Sequence, residues 1–197
     1  MPPVQVDRAF SRRAGFQAYL IAGLSLAYAV VFLGFVRGHP ADHSSAALAW
    51  ALLAAGGLAT TIAVVGAASR VNGDARRWLI ALGVGYALLS AAHGTFAAIA
   101  EAQGLPASDL SPTDPRGLAS FGLAGLWALT LGLEIRSGNS SLPSGLGWLA
   151  IANGLVLIAL FFATVAASEA LILVTGPLTA VILGPAFWIW TGRALRA

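Results

Sequence analysis

Residues 70–101 read RVNGDARRWLIALGVGYALLSAAHGTFAAIAE, and this stretch decides the fold. Arg70, Arg76 and Arg77 crowd its beginning, and from Trp78 to Ala100 there is no Asp, Glu, Lys or Arg. A helix needs about 20 predominantly apolar residues to cross the hydrocarbon core of a bilayer. Lipid offers the backbone no hydrogen-bond partner, so a segment of this kind must satisfy its own amides and carbonyls as a helix. Trp78 stands where the arginines stop, at the level an amphipathic indole prefers.

The same grammar recurs in both directions along the chain. Spans are predicted over 15–36, 46–68, 78–100, 117–135, 146–167 and 170–191. The last two are separated only by Ser168 and Glu169. A single segment from 146 to 191 would be far longer than one crossing, so a tight hairpin is expected. The fold class is therefore all-α: one domain, a polytopic bundle of six transmembrane helices. Composition agrees. The chain is 58% hydrophobic and 10% charged, against about 25% charged in soluble domains. Mean hydropathy is +0.81.

Arginine placement supplies an orientation. Arg8, Arg12, Arg13, Arg70, Arg76, Arg77, Arg136, Arg193 and Arg196 fall in tails and loops on one side of the spans. Only Arg37 and Arg116 fall on the other, alongside Asp42, Glu101, Asp109, Asp114 and Glu169. By the positive-inside rule both termini are expected in the cytoplasm. Trp78, Trp148, Trp188 and Trp190 all fall at that same expected interface. Ser11-Arg12-Arg13 resembles a twin-arginine export signal. Gly15 replaces the bulky residue that motif favours, and the following run is long for a cleavable core, so a retained first helix is expected.

Absences narrow the chemistry. There is no cysteine and no lysine, and Met1 is the only methionine. Disulfides, thiolate zinc sites, thioether haem and lysine Schiff bases are excluded. No extramembrane segment is long enough for a soluble catalytic domain. No phosphate loop, zinc-protease motif or nucleophile elbow occurs. The sequence pI near 10.2 does not point to nucleic acid as a partner, because the basic residues are spread along membrane edges.

Polar groups within the spans are the site candidates, since burying them in lipid is costly. Tyr86, Ser90 and His93 are spaced by four and three and share one face of the third helix. His93 lies about 24 Å along that helix, toward the end away from the arginines. Asn153 in the fifth span can bond across helices. Gly176-Pro177 and Gly184-Pro185 can kink the sixth span and free backbone carbonyls. Tyr86, Ser90, His93, Asn153 and Pro177 are thus the candidate ligand-binding residues. His39 and His43 flank Asp42, but Pro40 interrupts the helical spacing a metal pair needs, so no metal site is expected. Asp42, Ser44 and Ser45 are expected to cap the second span. Glu134, two residues before Arg136, is expected to reach the interface. No other carboxylate lies within a span, which argues against proton coupling. Gly56-Gly57, Gly83/Gly85 and Gly122/Gly125 predict close helix approach.

A faint internal echo runs between the halves: Trp50 to Leu58 against Trp148 to Leu155, Ala22-Gly23-Leu24 against Ala124-Gly125-Leu126, and His93 to Phe96 against Gly184 to Phe187. A three-span repeat would have to be inverted.

The second half, over residues 120–193, resembles uncharacterised bacterial six-helix integral membrane proteins. The resemblance is carried by Leu131-Gly-Leu-Glu-Ile-Arg-Ser-Gly138, Leu142-Pro143, Leu146 to Gly154, and Gly184 to Arg193. It implies a six-helix bundle and brings no activity.

Three function classes follow as expectations. The first is a non-enzymatic multi-pass protein of the cell inner membrane, serving as an accessory or scaffold subunit or binding a small apolar ligand between helices. Its partners would be the lipid bilayer and other membrane subunits or further copies of itself. The second is a small-solute transporter or channel built on the inverted repeat. The third is a membrane cofactor or electron-transfer protein using His93. The sequence names no cofactor.

Overall fold

The structure, a computed structural model, describes residues 7–39, 41–105 and 111–197. Pro40, Pro106 and Asp109 lie outside the described residues. The described residues form six helices long and apolar enough to cross a membrane. The first runs as α1, Arg8–Val31, and continues through a π-helical turn, Phe32–Val36. Then come α2 (His43–Ala68), α3 (Ala75–Ala102), α4 (Leu118–Arg136) and α5 (Ser144–Val165). The sixth span is composite: α6 (Glu169–Pro177), a π-helical segment Leu178–Leu183, and α7 (Gly184–Arg196).

The first span begins seven residues earlier than apolarity predicts. Asp7 caps it, its carboxylate accepting from the Ala9 amide at 2.8 Å, and the polar turns through Arg13 are helical although not lipid-like. The capping expectation for α2 is met: Asp42 accepts from the Ser44 and Ser45 amides, each at 3.1 Å, and from the Ser45 hydroxyl at 2.6 Å. The hairpin between the fifth and sixth spans turns at Ala167, where φ is 50°.

Neighbours in sequence are mostly neighbours in space. α2 packs on α1 and α3, α4 packs on α5, and α7 returns to α1, closing the bundle. Large apolar side chains face outward on every span, among them Phe16, Leu58, Leu88, Leu133, Phe162 and Val174. Apolar groups on both faces of a helix suit a bundle solvated by lipid.

Small residues set the helix spacing. Gly125 and Gly132 on α4 meet Gly154 and Gly147 on α5 reciprocally: a Cβ on Gly132 would lie 2.7 Å from Gly147 O, and one on Gly154 would lie 2.9 Å from Gly125 O. Gly57 and Gly94 do the same between α2 and α3, where an added Cβ would meet Ala91 N or Ala54 N at 2.6 Å. Of the other expected glycines, Gly83 lies against the Trp127 indole and Gly122 against Phe161, whereas Gly56 faces open space.

The two loops at the arginine-rich end are zipped together. Val71 and Ser140 form an antiparallel bridge. Asn72 N donates to Asn139 O at 3.1 Å, Asn139 Nδ2 returns to Asn72 O at 3.2 Å, and Ser141 N donates to Arg70 O at 3.0 Å. Glu134 joins this knot by accepting from Asn139 Nδ2 at 2.6 Å. Gly138, at φ +80°, supplies the left-handed turn that ends α4. Arg136 lies over the Trp148 ring, 4.7 Å from its centroid.

Candidate functional site

A partly open cavity of about 220 Å³ lies between the helices, and all six spans line it. Tyr86 and Ser90 come from α3 and Asn153 from α5, so three of the five candidate residues meet there. His93 and Pro177 are not among its lining residues. His93 is buried against the edge of Trp50, with ring centroids 5.3 Å apart at 88°. Pro177 opens the π-helical segment at the end of α6.

The sequence reading missed the aromatic wall. Trp127, Phe187 and Trp188 line the cavity. Trp127 stacks on Trp188 at 5.7 Å and 17°, meets Phe187 edge-on at 6.0 Å, and lies 5.9 Å from Tyr86. Trp188 was expected at the membrane interface. It is instead only 8% exposed, whereas Trp78, Trp148 and Trp190 are 57%, 60% and 40% exposed. The cause is helical phase: Phe187, Trp188, Thr191 and Leu195 form the buried face of α7, and Trp190 falls on its outer face.

Most hydroxyls around the cavity are committed to backbone or helix-end groups. Thr60 Oγ1 donates to Gly56 O at 2.7 Å. Thr179 Oγ1 lies 3.0 Å from Thr175 O and 2.9 Å from Gly176 O. Ser120 Oγ donates to Asp114. Ser25 Oγ donates across helices to Ala180 O at 2.9 Å. That last bond has a clear cause. In the π register Gly184 N bonds to Thr179 O, so residue 185 would serve Ala180 O. Pro185 has no N–H to give, and Ser25 supplies the donor.

Two buried polar atoms on residues that line this cavity have no hydrogen-bond partner among the described residues: Asn153 Oδ1, and Trp127 Nε1, which packs against Gly83. Asn153 is 5% exposed and Trp127 1%. Buried polar groups of this kind ordinarily have a partner, and each one left alone costs about 1–3 kcal/mol. The cavity has aromatic and aliphatic walls, and two of its lining residues carry an unpartnered polar atom. That is the composition of a small-molecule pocket.

Two charged groups are placed differently from their sequence reading. His43 Nδ1 lies 2.7 Å from Glu101 Oε2, tying the start of α2 to the end of α3. Asp114 looked like an external loop charge but is buried. It accepts from Ala119 N at 2.7 Å and Ser120 N at 3.1 Å, capping the start of α4. Its signal in the sequence was the spacing to Ser120 across Pro115. Among the described residues no cluster of His, Asp or Glu could hold a metal ion.

Comparison of the chain with known protein families, curated proteins and solved structures finds no match. The class defined by fold and site is a multi-pass helical membrane bundle with a cavity between its helices.

Proposed function

We propose that this protein is a non-enzymatic multi-pass protein of the cell inner membrane, with both termini cytoplasmic, which holds a small and mainly apolar ligand between its helices and serves a larger membrane assembly as an accessory subunit. The observation that carries the ligand reading is the cavity itself, two of whose lining residues, Asn153 and Trp127, each carry a buried polar atom with no hydrogen-bond partner among the described residues. A ligand with a ring or short chain and one hydroxyl or carbonyl group matches those walls. The arginine distribution supports the orientation.

Purification in mild detergent followed by native mass spectrometry and solvent extraction tests this. The wild type is expected to retain a small molecule that Asn153→Leu and Trp127→Phe release. If wild type and variants carry only the same lipids, and small alcohols and ketones leave the unfolding midpoint unchanged, the ligand reading falls.

A small-solute transporter is the second reading. It is favoured by the composite sixth span, where a π-helical segment lies between Pro177 and Pro185 and contributes Thr179 and Ala180 to the cavity wall. Such segments recur at functional sites. Flux into liposomes, lost on Asn153→Leu, would select it over a binding role.

A further inference from the structure

The arginines that the sequence spreads along membrane edges are gathered by the fold. Arg8 and Arg12 from α1, Arg70 from the end of α2, Arg76 and Arg77 from the start of α3, and Arg196 from α7 all line one concave basin of about 1210 Å³. Asp74 is the only acidic side chain in its wall, and it sits 3.9 Å from Arg77. Arg8, Arg12, Arg70, Arg76 and Arg196 have no carboxylate within ion-pair distance among the described residues. Arg70 forms part of the wall. Its Nη2 reaches Leu195 O at 3.3 Å and Ser11 Oγ at 3.5 Å, both neutral acceptors, and its buried Nε has no partner. Six like charges drawn into one concavity repel one another, and an anion relieves that repulsion.

We propose that this basin is a binding site for a phosphate-bearing anion, filled in the membrane by the headgroup of an anionic glycerophospholipid. The chain has eleven arginines and no lysine, and the planar fork of arginine matches phosphate oxygens two at a time. The basin is far roomier than a single inorganic ion requires, which suits a phosphate carrying an organic group. Its walls are the ends of spanning helices, at the depth where headgroups lie.

The test is native mass spectrometry of the full chain in mild detergent, titrated with short-chain phosphatidylglycerol or phosphatidylcholine, and separately with inorganic phosphate. Phosphatidylglycerol should bind in preference to phosphatidylcholine. Each basic group near a headgroup contributes about 1 kcal/mol, so Arg12→Gln/Arg76→Gln, which alters no fully buried side chain, should weaken binding about 30-fold. Arg13→Gln/Arg193→Gln removes the same charge outside the basin and should have a much smaller effect. Arg12→Lys keeps the charge and loses the fork at an exposed position, and should weaken binding in a protein with an unchanged unfolding midpoint. Saturation by inorganic phosphate, sensitive to Arg12→Gln/Arg76→Gln, with no preference between the lipids, would keep the site and reassign its source to a soluble phosphate. Equal losses in the basin and control pairs, or no binding of either probe, overturns the proposal.

Discussion

Replacing Gly154 with alanine adds one methyl group at a tight point of the α4/α5 seam. That Cβ would lie 2.7 Å from Leu129 N, 2.9 Å from Gly125 O and 3.1 Å from Leu129 Cα, all main-chain atoms that cannot rotate away. Restoring ordinary contact requires the helices to part by about 0.7 Å, a gap that forfeits a quarter to a half of the dispersion well for the atoms facing it. Overpacking of this kind costs about 1–3 kcal/mol. The matched control is Gly23→Ala on α1, where nothing lies within 4 Å of the added Cβ. There the gain in helix propensity, about 0.5–1 kcal/mol, stands alone. The two variants should therefore differ by about 1–3 kcal/mol, the overpacking cost alone, because the propensity gain is common to both. Thermal unfolding in mild detergent, followed by tryptophan fluorescence, measures this, at about 2–4 °C for each kcal/mol in a chain of this size. Adding Gly132→Ala to Gly154→Ala should cost less than the sum of the two, because the first methyl has already opened the seam. Equal midpoints for Gly154→Ala and Gly23→Ala would refute the claim that backbone contact between α4 and α5 holds this half of the bundle together.

Ser25→Ala leaves Ala180 O without the donor that Pro185 cannot provide, and should lower stability by about 0.6–1.7 kcal/mol. Ser25→Thr should retain most of it, and unfolding midpoints of the two variants decide the point. Asp42 is held below the usual carboxylate value by the Ser45 hydroxyl and amide and the Ser44 amide, aided by His39. A depressed folded value stabilises above the ordinary carboxylate range and is lost as pH falls through it. Protection factors of the Ser44 and Ser45 amides, with intrinsic exchange divided out, should therefore fall on acidification in wild type, and Asp42→Asn should abolish that dependence. Trp127→Phe removes the unpartnered indole donor from a residue of the cavity wall while keeping most of the stacked ring. It should release a bound polar ligand with a smaller change in midpoint than Trp127→Ala, measured on the same purified samples. A visible absorption spectrum checks the cofactor reading of His93: a band sensitive to His93→Ala would support it.

Much of the fold was legible because bilayer crossing is a local property. The run from Trp78 to Ala100 has the length and composition of a span whatever its neighbours do, and Asp42 caps the helix that begins beside it. Helix ends were less legible. The turns from Arg8 to Arg13 are helical because Asp7 caps them, not because they are apolar, so a reading by hydropathy started the span too late. Tyr86 and Ser90 could be placed on one face by spacing alone. Trp127 and Trp188 could not be placed, because a tryptophan at the same depth can face lipid or core, and only the rotation of its helix decides which.

The sequence by itself determined that this chain is all helical, how many times it can cross a bilayer, and which loops carry the basic charge. These follow from length, hydropathy and local capping, which need no tertiary contact. Only the tertiary structure decided that Asn153, Tyr86 and Trp127 share one cavity, that Ser25 serves the carbonyl left by Pro185, and that six arginines from four chain segments face one basin. Those are relations between residues far apart in sequence. They are set by how closely glycine-lined helices approach and how each turns about its axis, and no single segment carries that information.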